Sequence, residues 1–127
     1  MIDLEFIAYM ILILILSIVH TSGEALYKKG AMLFVAKNAP LKDMVFYLKV
    51  RFTPLLVIGV SIGISFTVKA IYGILLVTNP LSVSSGLFLG FIAIFSVIFG
   101  KFFYGELISR PQWFGIVLIA LGITLLV

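Results

Sequence analysis

Four long apolar stretches make up most of this chain, separated by short polar segments and lacking the in–out alternation of a half-buried strand. The first runs from about Phe6 to Leu26, rich in Ile, Leu and Val until His20, Thr21, Ser22, Gly23 and Glu24 interrupt its last third. Lys28 and Lys29 follow, and Ala31 to Ala36 extend the helical pattern past Gly30. Asn38-Ala39-Pro40 ends it, because proline lacks a donor and restricts the residue before it. Between Leu41 and Phe52, apolar Leu41, Met44, Val45, Leu48 and Phe52 recur at helical spacing opposite Lys42, Asp43 and Lys49, which predicts a short amphipathic helix in the headgroup plane. Thr53-Pro54 pairs an N-cap with a first-turn proline and opens a second span, 54–77. Asn79-Pro80 opens a third, 81–103, and Ser109-Arg110-Pro111 a fourth, 112–127. A helix crosses a bilayer in about 20 residues. The expected fold is therefore an all-α membrane protein: one four-transmembrane-helix bundle over residues 1–127, with an interfacial amphipathic helix between helices one and two.

Composition agrees with that solvent. The 127 residues are 63% hydrophobic and 11% charged, where soluble domains carry about 25% charged residues. The start, Met1-Ile2-Asp3-Leu4-Glu5, is acidic where a signal peptide is basic, so the first span is expected to be retained. The formal charge of +4 does not point to nucleic acid, because the basic residues lie between apolar spans, where anionic lipid headgroups are the nearer partner. Of nine Lys and Arg residues, Lys28, Lys29, Lys37, Lys42, Lys49 and Arg51 lie between spans one and two, and Lys101 and Arg110 between three and four. Basic loops stay in the cytoplasm. The expected topology is a multi-pass plasma-membrane protein with loops 27–53 and 104–111 cytoplasmic and both termini outside. Such a bias makes any homodimer parallel.

The ninth cation, Lys69, falls inside the second span, and an ionisable group at a span's centre costs about 2.5 to 3.5 kcal/mol on insertion scales. Such a residue is a functional candidate. Ser65 and Tyr72 stand four before and three after it, so the three are candidates for one hydrated pocket wall. In the first span His20 and Glu24 share a face, extended a turn each way by Ser17 and Tyr27. The blander alternatives are a carboxylate snorkelling at a helix end, a histidine hydrogen-bonded to a neighbouring helix, and a lysine reaching a backbone carbonyl. By rise per residue Glu24 and Lys69 differ in depth by roughly 15 Å, which predicts two stations on a path and no direct ion pair. Small residues mark expected helix contacts: Gly59 with Gly63, Ser82 with Gly86 and Gly90, and Gly115 with Gly122. With no cysteine and one histidine, no metal site, cofactor site or nucleophile with an oriented base can be assembled, so the chain is not expected to be an enzyme.

Three segments resemble a known family. They are Asn79-Pro80, the run Phe102-Phe103-Tyr104-Gly105-Glu106, and Gln112-Trp113-Phe114-Gly115 continuing through Ala120-Leu121-Gly122-Ile123. Pro80 stands 25 residues before Gly105 and 35 before Gly115. With Ser22-Gly23-Glu24-Ala25-Leu26-Tyr27-Lys28 in the first span, they resemble the drug/metabolite transporter superfamily, specifically its four-helix, EamA-like and small multidrug resistance-like members. In the small multidrug resistance branch a first-helix glutamate exchanges protons for cations. That position holds His20 here, with Glu24 one turn later. In the paired small subunits of the undecaprenyl-phosphate aminoarabinose flippase, a Gly-Gln pair lies where this chain has Gly23-Glu24. Lys69 and the basic 28–51 segment favour an anion over a cation. The resemblance thus implies a transporter or flippase subunit moving a lipid-linked or amphipathic anion by alternating access, with exchange of small organic cations as the second reading. A non-transporting accessory subunit is the third. It implies oligomer contacts at Gly115 and Gly122, as a parallel homo-oligomer or with a related subunit.

Overall fold

The computed structural model describes residues 3–36 and 52–127. Four helices are present among them: α1 (Leu4–Ala36), α2 (Phe52–Thr78), α3 (Leu81–Tyr104) and α4 (Arg110–Leu126). The first three are long and apolar enough to cross a membrane, whereas α4, at 17 residues, is shorter. The described residues thus form an all-helical structure whose three long apolar helices fit a membrane protein. The expected amphipathic helix over 41–52 lies outside the described residues except for Phe52, which belongs to α2.

Helix ends follow the local chemistry. Asn79 Nδ2 donates to the Leu75 carbonyl at 3.0 Å and closes α2, and Pro80, held at φ −58°, sets the corner before α3. At the other end of α3, Gly105 adopts the left-handed conformation at φ 62°, which a side chain would make costly. The reversal lets the Glu106 N–H return to the Gly100 carbonyl at 3.2 Å. α4 opens at Ser109, whose N–H donates to Gln112 Oε1 at 2.8 Å, with Pro111 in the first turn.

Helix α1 is the hub. Among the described residues it packs against both α2 and α3, while α4 packs only on α3 and α2 barely reaches α3. The order in space is α2, α1, α3, α4. Tyr9, Leu16, Gly23 and Gly30 recur every seven residues on the buried stripe of α1, and Pro54, Ser61 and Val68 do the same on α2, the spacing of left-handed helix packing. Gly23 lies against Ile64 and Ser61, and Gly30 against Ile58 and Pro54, so α1 and α2 are antiparallel. The α1–α3 pairs Tyr9 with Ser84 and Ala25 with Tyr104 show those two parallel.

The glycine expectations divide. Gly86 and Gly90 do form a seam, seating Leu126 and Ile123 of α4. Gly59 and Gly63 do not: a Cβ at either would meet nothing within 4 Å among the described residues, because the stripe of Pro54, Ser61 and Val68 turns the opposite side of α2 toward α1. Their place in the α1–α2 contact is taken by Gly23 and Gly30 of α1. A Cβ at Gly115 or Gly122 would also meet nothing within 4 Å among the described residues.

Candidate functional site

Two cavities meet at Glu24. The larger, about 510 Å³, is a groove between α1 and α2, with Glu24 and Tyr27 on one wall and Ser61, Ser65, Phe66 and Lys69 on the other. The antiparallel pairing sets Ser61 beside Gly23, so Lys69 lies eight residues further along α2, roughly 12 Å away by helix rise. Glu24 and Lys69 therefore line one groove at different depths. No ion pair joins them among the described residues.

Four of the six side chains predicted for the site, Glu24, Tyr27, Ser65 and Lys69, line this groove. His20 and Tyr72 do not. Tyr72 turns into the junction of the first three helices and stacks on Phe88 of α3, with ring centroids 4.5 Å apart, while His20 meets the same ring at 5.7 Å. Three positions along a helix rotate a side chain by about 60° from its partner, enough to send Tyr72 to the core while Lys69 stays at the groove. His20 keeps one link to the site: its Nε2 lies 3.3 Å from Glu24 Oε1. His20 Nδ1 and Tyr72 Oη are buried with no hydrogen-bond partner among the described residues.

The smaller cavity, about 160 Å³, lies between α1 and α3 and is lined by Thr21, Glu24, Lys28, Ser96 and Glu106 among others. Its mouth is crossed by a latch. The Lys28 ammonium pairs with the Glu106 carboxylate and lies 4.5 Å from the centre of the Tyr104 ring, while the Tyr104 hydroxyl donates to the Ala25 carbonyl. Gly100 makes room: a Cβ there would sit 2.5 Å from Glu106 Oε2. Gly105 supplies the turn that brings Glu106 back. The pair is about half exposed on both sides, 47% and 48%, so it stabilises by about 1 kcal/mol at most.

Lys28, Tyr104 and Glu106 were not legible as site residues. Gly105 after an apolar run is a helix-stop signal, but the partnership of Lys28 with Glu106, 78 positions apart, depends on α1 and α3 being parallel neighbours. The arrangement sets opposite charges, Lys69 and Glu24, at the two ends of the groove with Ser65 and Phe66 between them, while the buried Ser61 hydroxyl already donates to the Ile58 carbonyl at 2.7 Å. Neither a protein-family model, nor a protein of curated function, nor a solved structure matches this chain.

Proposed function

We propose that the chain is a small membrane transporter or flippase subunit of the drug/metabolite transporter type, moving a lipid-linked or otherwise amphipathic anion by alternating access. The observation that carries this reading is the α1–α2 groove, which puts a cation far inside a membrane helix beside two serines and an aromatic side chain. A lysine there is costly unless it serves a polar partner, and an anionic headgroup is such a partner. Glu24 at the other end of the groove gives the headgroup a second charged neighbour, so that binding differs between the two ends and an inward-open and an outward-open packing can be biased unequally. In this reading α4 is a fourth span, the 41–52 segment lies along the headgroups, the basic end faces the cytoplasm and the termini face outward. The plasma membrane is the location.

Native mass spectrometry of the protein released from mild detergent tests it. Wild type should retain a polyprenyl-phosphate species in a defined oligomer, and Lys69→Ala should lose that species while keeping the oligomer. Retention unchanged in Lys69→Ala, or no such lipid in wild type, overturns the reading. A second reading, proton-coupled export of small organic cations, is favoured by the His20–Glu24 contact at 3.3 Å, which links a titratable ring to a carboxylate in the groove. It predicts cation flux into liposomes driven by a proton gradient and abolished by Glu24→Gln.

A further inference from the structure

A third cavity, about 590 Å³, lies between α1 and α3 on the other side of the Tyr104 latch. It is within the size range of about 300–1,000 Å³ typical of ligand sites. Its wall is apolar: Leu26 and Met32 of α1 face Phe99 and Phe103 of α3, whose rings meet edge to face at 5.3 Å. Leu26, Met32 and Phe103 are all exposed. The polar atoms on this wall are already used inside the chain, since Ser22 Oγ donates to the Ile18 carbonyl at 2.8 Å and Tyr104 donates to Ala25. The exception is Lys29, which makes no ion pair among the described residues, although its neighbour Lys28 is neutralised by Glu106. Both carboxylates nearby, Glu24 and Glu106, line the small cavity and not this groove. Among the described residues the groove therefore carries one positive charge, Lys29, with no carboxylate on its walls.

Depth fixes which way an occupant lies. A hydrocarbon core crossed in about 20 residues from Phe6 ends near Leu26, so Lys29 stands at headgroup level, and the trough runs back from Met32 and Phe103 toward Ser22 and Phe99. We propose that this groove binds one anionic phospholipid of the leaflet at the basic end, with its phosphate on Lys29 and an acyl chain along Leu26, Phe99 and Phe103. A helix from a second parallel copy fits less well, because eight of the nine Lys and Arg residues lie at or beyond this end of the spans and would meet Lys29 with like charge. The site is separate from the α1–α2 groove and does not depend on the transport reading.

The test is native mass spectrometry of the whole protein incubated with phosphatidylglycerol and phosphatidylcholine of matched acyl chains in mild detergent. One cation at the membrane surface predicts a preference for the anionic lipid of roughly five-fold. Lys29→Gln should abolish that preference, Lys29→Arg should keep it, and Met32→Trp, which fills the trough, should reduce retention of both lipids. Lys69→Ala should leave phosphatidylglycerol bound. A preference that survives Lys29→Gln overturns the proposal, as does the absence of any preference in wild type. Loss of phosphatidylglycerol in Lys69→Ala also overturns it, by placing the lipid in the α1–α2 groove, and leaves the transport reading standing. Dissociation of an oligomer by Met32→Trp assigns the groove to a second copy and overturns it too.

Discussion

Two tyrosines in the core show how differently the same hydroxyl can act among apolar helices. Tyr9 bonds the buried Ser84 hydroxyl across α1 and α3, whereas Tyr72 stacks on Phe88 with its hydroxyl buried and unpartnered among the described residues. Interhelical hydrogen bonds in membrane proteins average about 0.6 kcal/mol and reach about 1.7, while an unsatisfied buried polar group costs roughly 1–3. Tyr9→Phe should therefore destabilise the protein by about 1 kcal/mol, and Tyr72→Phe should leave stability unchanged or raise it. Reversible unfolding in mixed micelles measures both. A loss of stability in Tyr72→Phe comparable with that of Tyr9→Phe would show that its hydroxyl is satisfied. At this scale the sequence was a partial guide. His20 and Glu24 were legible as partners because four residues on one helix must be neighbours. Tyr72 was misplaced because proximity along a helix does not decide which neighbouring helix a side chain meets.

Helix existence was legible at the scale of elements because each start has its own chemistry: Pro54, Asn79-Pro80 and Ser109-Arg110-Pro111 all fall within two residues of observed helix starts. Helix faces were not. In water the apolar stripe of a helix marks its buried side, but a helix surrounded by lipid is apolar on every side and its small residues become the main clue. That clue misled at Gly59 and Gly63, which face open space, and succeeded at Gly86 and Gly90. The distinction is measurable. A Cβ at Gly30 would lie 2.8 Å from Ile58 Cγ1 and 3.1 Å from the Pro54 carbonyl oxygen, and a backbone atom cannot swing aside. Gly30→Ala should push α1 and α2 apart and destabilise by about 1–3 kcal/mol, the usual cost of overpacking. Gly63→Ala has nothing to meet and gains helix propensity, so it should stabilise by up to about 1 kcal/mol. Thermal unfolding in detergent should rank Gly63→Ala above wild type and Gly30→Ala below it. The reverse order would mean that α2 presents its other face to α1.

The row α2, α1, α3, α4 is asymmetric at the scale of the molecule: among the described residues α1 is covered on two sides, while α4 rests on α3 alone. Most of α4 remains exposed, including Trp113, Phe114, Val117, Leu118 and Leu121. In a bilayer that exposure is tolerable, since lipid solvates apolar side chains as well as protein does, so apolar area does not by itself demand a partner. Small residues carry more information there, because only they let two backbones approach closely. Gly115 and Gly122 are seven residues apart on α4, and a Cβ at either would meet nothing within 4 Å among the described residues. No packing among the described residues accounts for them. If they seat a second α4, replacing both with leucine should split the oligomer into monomers without unfolding it, and each substitution should by itself favour the helix by about 0.5–1 kcal/mol. Gly90→Leu is the contrasting variant. It drives a side chain into Ile123, 2.9 Å from where a Cβ would stand, and should detach α4 from α3 inside each protomer, lowering the unfolding temperature whatever the subunit count. Light scattering corrected for bound detergent reads the assembly, and circular dichroism reads the helices. Monomers with wild-type helicity in the Gly115→Leu, Gly122→Leu double variant would assign α4 to the subunit interface. An intact oligomer would move the interface elsewhere, and the exposed face of α2, where Gly59 and Gly63 also stand open, is the other surface with room for a close backbone approach.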